Sequence, residues 1–312
     1  MIAGDGASSS IGALPHGARV LIVRLRSLGD CVLTTPAIEL LHQYRPDLQI
    51  AVMAEAPFDA VYRGNPAVSN ILPCTVDAAL KFRPRLTINL HGGTRSMKLT
   101  AASLARWRAG FAHFRSPWLY NLPVPRAQEI LGEERPVHTA EHVASALFWL
   151  GVPRTESPRA QLYASAPAPA KPAYALIHPF ASEPAKTWPA ARFIQVADAL
   201  LKQQIQPVFL GAASDDFAPF KQHHTLRGAT LEQIKNQLAG ASLFVGNDSG
   251  PAHMAAAFGL PVCVIFGPSD VNAWSPWRTR AEVLRGGDTA ANVGTDQVLG
   301  AVERLQPARV TQ

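Results

Sequence analysis

Three stretches of this 312-residue sequence combine residue types and spacings that can hold an anion or move a proton. The most informative is Val245-Gly-Asn-Asp-Ser-Gly-Pro-Ala-His253, where an apolar run enters Gly246 and a helix is predicted from about Pro251. Proline suits a first helical turn, where its missing N–H would have had no partner. Free backbone N–H groups there, the Ser249 hydroxyl, the close approach that Gly250 allows and His253 one turn in would together bind an anion. An ordinary helix cap with a satisfied histidine is the alternative. A second loop, His178–Pro189, carries Ser182, Lys186 and Thr187. Parallel-sheet topology would lay it beside the first, so the two would surround a diphosphate with Lys186 as the point charge. The third, Ser27-Leu-Gly-Asp30, ends in a carboxylate at a helix start. It reads either as a cap or as a general base. A helix N-terminus weakens such a base, but a weak base suffices if the attacking hydroxyl becomes acidic only as its new bond forms.

Other chemistries lack their residues. No Gly-x-Gly-x-x-Gly follows a strand, no Gly-x-x-x-x-Gly-Lys-Ser/Thr occurs, and no Asp-x-Asp is present. His223 and His224 have no metal-ligand spacing with cysteine or carboxylate, so neither metal nor cofactor is expected. Cys31, Cys74 and Cys263 form no paired framework, which fits a reducing cytoplasm.

The loops need elements to position them, and the chain alternates accordingly. Strands are predicted at 19–25, 49–53, 69–72 and 85–90, and helices at 34–44, 96–106 and 139–150. The proline-alanine run 164–172 then reads as a linker. Beyond it, strands at 174–178, 207–211, 242–246 and 262–266 alternate with helices at 190–203, 231–238, 251–258 and 296–305. Two βαβ series argue for two doubly wound parallel-sheet domains facing a cleft, the first at 19–163 and the second at 174–312, with 164–173 between them. Residues 1–18 are expected to be a flexible tail. With 47% hydrophobic residues and no long apolar run, neither disorder nor a membrane span is the main state.

The net charge of +6 is uneven. Residues 1–170 hold 17 basic and 12 acidic side chains, and residues 171–312 hold 12 and 11. Residues 78–128 contain nine basic side chains, among them Arg95, Lys98, Arg106 and Arg108, and no acidic one. That stretch reads as a solvated face or as a surface for an anionic partner, either a nucleic acid or a phosphorylated or carboxylated lipid.

Gly246-Asn-Asp-Ser-Gly-Pro-Ala-His253, continuing to Gly259-Leu-Pro-Val262 and Phe266-Gly-Pro-Ser-Asp270, closely resembles the signature of glycosyltransferase family 9, the heptosyltransferases of lipopolysaccharide core synthesis. The segments Ile22–Ala37, Leu86–Ser96, Arg108–Phe111 and His178–Pro189 match further family segments in the same order. The resemblance implies a GT-B fold of two Rossmann-like domains, acceptor-binding then nucleotide-sugar-binding, with the last helix returning to the first domain. It implies inverting, metal-independent transfer of heptose from ADP-heptose to the Kdo/heptose inner core of lipid A. Asp30 would be the base and Lys186 would neutralise the departing ADP. Asp248, Ser249, Gly250 and His253 would hold diphosphate and sugar, and Asp215 would meet the ribose. The acid-free stretch lies in the domain that the resemblance gives to the acceptor, so Arg95, Lys98, Arg106 and Arg108 would meet the anionic lipid A core rather than nucleic acid. The expected place is the cytoplasm, with peripheral contact at the inner face of the membrane. Phe180, where the family commonly has glycine, and Glu183 depart from the pattern. Another nucleotide sugar with a non-core glycan acceptor, or a non-catalytic nucleotide-sugar-binding protein, are the alternatives.

Overall fold

The computed structural model describes residues 11–306, and the boundary between its two compact units falls between Tyr163 and Ala164. The first unit runs β1 (Arg19–Val23), α1 (Leu28–Tyr44), β2 (Gln49–Met53), β3 (Asn70–Leu72), α2 (Val76–Phe82), β4 (Leu86–Asn89), α3 (Thr94–Ala102), β5 (Trp107–Phe111), β6 (Leu122–Val124), α4 (Ala127–Leu131) and α5 (Thr139–Trp149). The second runs β7 (Tyr174–His178), α6 (Ala190–Lys202), β8 (Gln206–Gly211), β9 (His224–Arg227), α7 (Leu231–Gly240), β10 (Leu243–Asn247), α8 (Gly250–Ala257), β11 (Val262–Phe266), α9 (Val271–Trp274), β12 (Ala281–Arg285) and α10 (Thr295–Leu305).

Both sheets are parallel, in the orders β3-β2-β1-β4-β5-β6 and β12-β11-β10-β7-β8-β9. Counted from its own first strand, each has the order 3-2-1-4-5-6. The winding therefore reverses between β1 and β4 in one unit and between β7 and β10 in the other. Loops leaving two such strands diverge and open a crevice at the carboxyl edge of the sheet. Helices on both faces explain why the central strands are largely apolar, with Val20–Val23 and Val262–Phe266 wholly buried.

Helix α1 starts at Leu28, earlier than its apolar spacing suggested, and carries Pro36 inside it. Proline removes the N–H that the Val32 carbonyl would have taken. The Thr35 hydroxyl donates to that carbonyl instead, at 2.8 Å.

One expectation is corrected. Residues 11–18 are not a loose tail, because Ile11 and Leu14 are buried and the Arg45 guanidinium donates to the carbonyls of Ile11, Leu14 and Pro15. Residues 1–10 lie outside the described residues. The buried face of α10, Val298, Ala301, Val302 and Leu305, belongs to the core of its own unit with Trp188, Phe193 and Phe209.

Candidate functional site

At the first switch point the chain leaves β1 through Arg24, a buried arginine at the sheet edge. Its Nη2 donates to Asp30 Oδ1 at 2.6 Å, its Nε to the Asp30 carbonyl at 3.4 Å, and its Nη1 to the Leu90 carbonyl just past β4. Asp30 is the third residue of α1 and does not cap it; the cap position is Ser27, held at φ 63° with no side-chain bond. The Arg24 guanidinium thus ties the β1 loop, and the carboxylate it holds, to the β4 loop. His91 follows β4, and burial with the charges of Arg24 and Arg26 holds its imidazole below the usual range. His142 of α5 stacks on Phe111 at 4.2 Å. Burial, His113 and Arg24 push it down to about 4, so it is neutral at pH 7.

The four arginine and lysine residues expected to meet the acceptor do not form one patch. Arg95, in the first turn of α3, pairs with Glu55 at 2.5 Å and donates to the Cys74 carbonyl. It lines a cavity of about 500 Å³ with Glu55, Asp59 and Thr75 at the ends of β2 and β3. Lys98 is exposed one turn further along α3. Arg106 and Arg108 lie at the amino end of β5, the edge opposite Asp30. Arg108 is spent on structure, donating to the Ala105 and Leu119 carbonyls at 2.8 and 3.0 Å. Composition recorded the charge but not the edge.

At the second switch point the β7 and β10 loops are brought together by Asn247. Asn247 is buried, its Oδ1 accepting from the Trp188 N–H at 3.0 Å and its Nδ2 donating to the Pro179 carbonyl at 2.8 Å. Trp188 is itself buried, and its indole N–H donates to the Val293 carbonyl at 2.8 Å. Between these anchors the loop makes a 3-10 turn, Pro184–Lys186, closed by the Thr187 hydroxyl donating to the Glu183 carbonyl at 2.9 Å. A Cβ on Gly267 would run into the Ala185 carbonyl, so glycine is what lets this turn lie against the β11 loop.

The result places Lys186 Nζ 3.9 Å from Asp248 Oδ2. Burial raises the Asp248 carboxyl above its ordinary value, while Ser269 and Lys186 pull the other way. Ser249 precedes α8 without capping it; its Oγ lies 3.1 Å from His178 Nδ1. Burial pushes His178 down to about 4, so that partner is a neutral imidazole. Gly250 opens α8, and His253 is buried with its ring 6.1 Å from that of Trp274. The α8 N-terminus, one ammonium and a hydroxyl held by a neutral ring make an arrangement suited to an anion.

Ser182 is exposed in the same loop. Asp215 is elsewhere: it follows β8, accepts from the Ala212 N–H at 2.7 Å and lines a cavity of about 550 Å³ with Lys221 and Arg227. Phe180 packs on Phe217 with ring centres 5.0 Å apart and fills the space over Gly211, so its departure from the family pattern is a core substitution. Sequence reading gave no role to Arg24, Trp188 or His178. A charged or polar residue at or just past the carboxyl end of an apolar run was the available signal for Arg24 and His178. Among the described residues, no group of three or more His, Cys, Asp or Glu side chains is placed to hold a metal ion.

Lipopolysaccharide heptosyltransferase 3 of Escherichia coli K12 is 26% identical over 91% of this chain and 96% of its own length. Lipopolysaccharide heptosyltransferase 1 of Salmonella typhimurium is 23% identical over 81% and 89%. Among solved structures, a family 9 glycosyl transferase from Veillonella parvula superposes with a TM-score of 0.78 at 21% identity, covering 92% of this chain and 97% of its own. An E. coli heptosyltransferase solved with ADP gives 0.77 at 20% identity, covering 92% and 100%. Likeness of this degree shows the fold, the GT-B arrangement of two Rossmann-like units. Residues 85–299 match the model for glycosyltransferase family 9 (heptosyltransferase), more than half of the sequence, and the chain belongs to that family of enzymes.

Proposed function

We propose that this glycosyltransferase moves heptose from ADP-heptose to the Kdo/heptose inner core of lipid A, with inversion at the anomeric carbon and without a metal ion. The observation that carries the reading is that each switch point holds what one half of such a transfer needs. A fixed carboxylate, Asp30 on Arg24, stands at the first. An ammonium beside an uncapped helix N-terminus, Lys186 at α8, stands at the second. The names of the curated relatives supply the acceptor class.

In this mechanism Asp30 takes the proton of an acceptor hydroxyl as its oxygen attacks the anomeric carbon. The bond from that carbon to the β-phosphate oxygen breaks, and ADP leaves with the electron pair. Charge gathering on the diphosphate meets Lys186 and the first N–H groups of α8, which are in place before the reaction and need no reorganisation. Asp248 cannot attract a phosphate. Its carboxylate positions the Lys186 ammonium and is available to sugar hydroxyls, while Ser249, Gly250 and His253 hold the donor. Ser182, Thr187 and, at the ribose, Asp215 complete the proposed donor contacts, and Arg95 and Lys98 those of the acceptor.

The test is a panel of nucleotide sugars, reading nucleotide release with and without a lipid A core acceptor. Acceptor-stimulated release from ADP-heptose supports the proposal. Release from another nucleotide sugar alone, or binding without turnover, overturns its donor or its catalytic part.

A further inference from the structure

Beyond Arg95 and Lys98, much of the basic excess of residues 78–128 gathers at the amino edge of the first sheet. Arg85 immediately precedes β4 and Arg106 immediately precedes β5, while Arg19 opens the neighbouring β1. Helices of a parallel sheet return to that edge, so Leu104, just past α3, lies there too. Two loops are tied together at this edge. The Arg108 guanidinium spans the Ala105 and Leu119 carbonyls, and the Asn121 amide spans the Arg108 N–H and the Arg106 carbonyl, both at 2.7 Å.

That stitching brings the Trp118 loop up to the Leu104–Arg106 segment. Trp118 is 79% exposed and Leu104 76%, the highest values for large apolar side chains among the described residues. Arg106 rides on the Trp107 ring at 5.2 Å and Arg19 on the Phe82 ring at 6.0 Å. Asp47, on the same edge, is neutralised by Arg45. Single exposed apolar residues are ordinary on a protein surface. A tryptophan and a leucine tied together among arginines, in a stretch of 51 residues without an acid, match what a lipid headgroup layer binds.

We infer that this edge, with Arg19, Arg85, Leu104, Arg106 and Trp118, docks the enzyme on an anionic bilayer surface. No helix among the described residues is long and apolar enough to cross a membrane, so the contact is interfacial. The inference is independent of which sugar is transferred.

The test is co-sedimentation of the full chain with phosphatidylcholine vesicles, with and without phosphatidylglycerol, comparing wild type, Leu104→Ser/Trp118→Ser and Arg85→Gln/Arg106→Gln. All four positions are at the surface, and melting temperature checks the fold. Wild type is expected to bind the anionic vesicles alone and to be released by high salt. The arginine pair should weaken binding about twenty-fivefold, from about fivefold per basic residue at a charged surface, and the apolar pair at least tenfold. Transfer to a water-soluble, deacylated acceptor should be unchanged in both variants. The inference is overturned if wild type ignores anionic vesicles, binds neutral ones equally, or is matched by Leu104→Ser/Trp118→Ser. A Trp118-dependent dimer without lipid would give the surface to a second copy and overturn it as well.

Discussion

Arg24 Nη2 and Asp30 Oδ1 lie 2.6 Å apart, a charge-assisted hydrogen bond across the turn that joins β1 to α1. The arginine is buried and also holds the Leu90 carbonyl, so the carboxylate is fixed to two loops at once. In the proposed reaction Oδ1 is held and Oδ2 takes the proton. Arg24→Ala should leave Asp30 in place but unsteered, lowering kcat about a hundredfold, the order expected when a reacting group loses its alignment. Donor KM should stay within about twofold, because the donor contacts belong to the other unit. Steady-state kinetics at varied ADP-heptose checks the split.

Lys186 and Asp248 divide their effects differently. Lys186→Ala should cost about 10²–10³ in kcat, the scale of removing one preorganised group from developing charge, and should weaken ADP binding as well. Asp248→Asn should also slow turnover, since the ammonium loses its carboxylate partner. Its stability should move the other way. A carboxyl whose folded value is raised loses stability as pH rises through its ordinary value, and that loss is present at pH 7. The asparagine variant should therefore melt higher than wild type at pH 7, which calorimetry reads directly.

His178 sets a pH limit. Burial lowers it from 6.5 to about 4, so the unfolded chain takes the proton first as pH falls. Full stability is present above about pH 6.5 and drains between there and about pH 4, at up to about 1.4 kcal/mol per pH unit from this group. His142, lowered to about 4 in the first unit, adds a similar slope. A melting series from pH 4 to 8 should show the fall, and His178→Gln should reduce its steepness.

Gly267→Ala tests the placement of the Lys186 turn without touching a charged group. The added methyl meets the Ala185 carbonyl, which must give way. Overpacking of this kind costs about 1–3 kcal/mol, and the displaced turn carries Lys186 with it. Weaker ADP binding by titration calorimetry, in a variant that still folds, is the expected result.

The central strands were legible because a parallel strand covered on both faces must be mostly apolar, as Ala175–Ile177 and Val262–Phe266 are. Strands β5, β6, β9 and β12 were not, since Trp107-Arg108, Pro123, His224-Arg227 and Glu282 break any apolar run at less central positions of the sheets. Asp30, Lys186 and Ser249–His253 were proposed from their loops, and the structure places each at the carboxyl edge of its own sheet. Arg24 and Asn247 were missed because their work is to join loops far apart in sequence. Arg106 and Arg108 were grouped with Arg95 and Lys98 although they lie at opposite edges of the sheet, because a count of charges has no direction. Strand polarity decides that.

The most direct test of the account measures heptose transfer from ADP-heptose to a Kdo-containing lipid A acceptor by wild type and Asp30→Ala, with ADP affinity titrated in parallel. The variant is expected to lose about 10²–10⁴ in turnover, the range for a positioned general base, while binding ADP within about twofold of wild type. Turnover equal to wild type would contradict it.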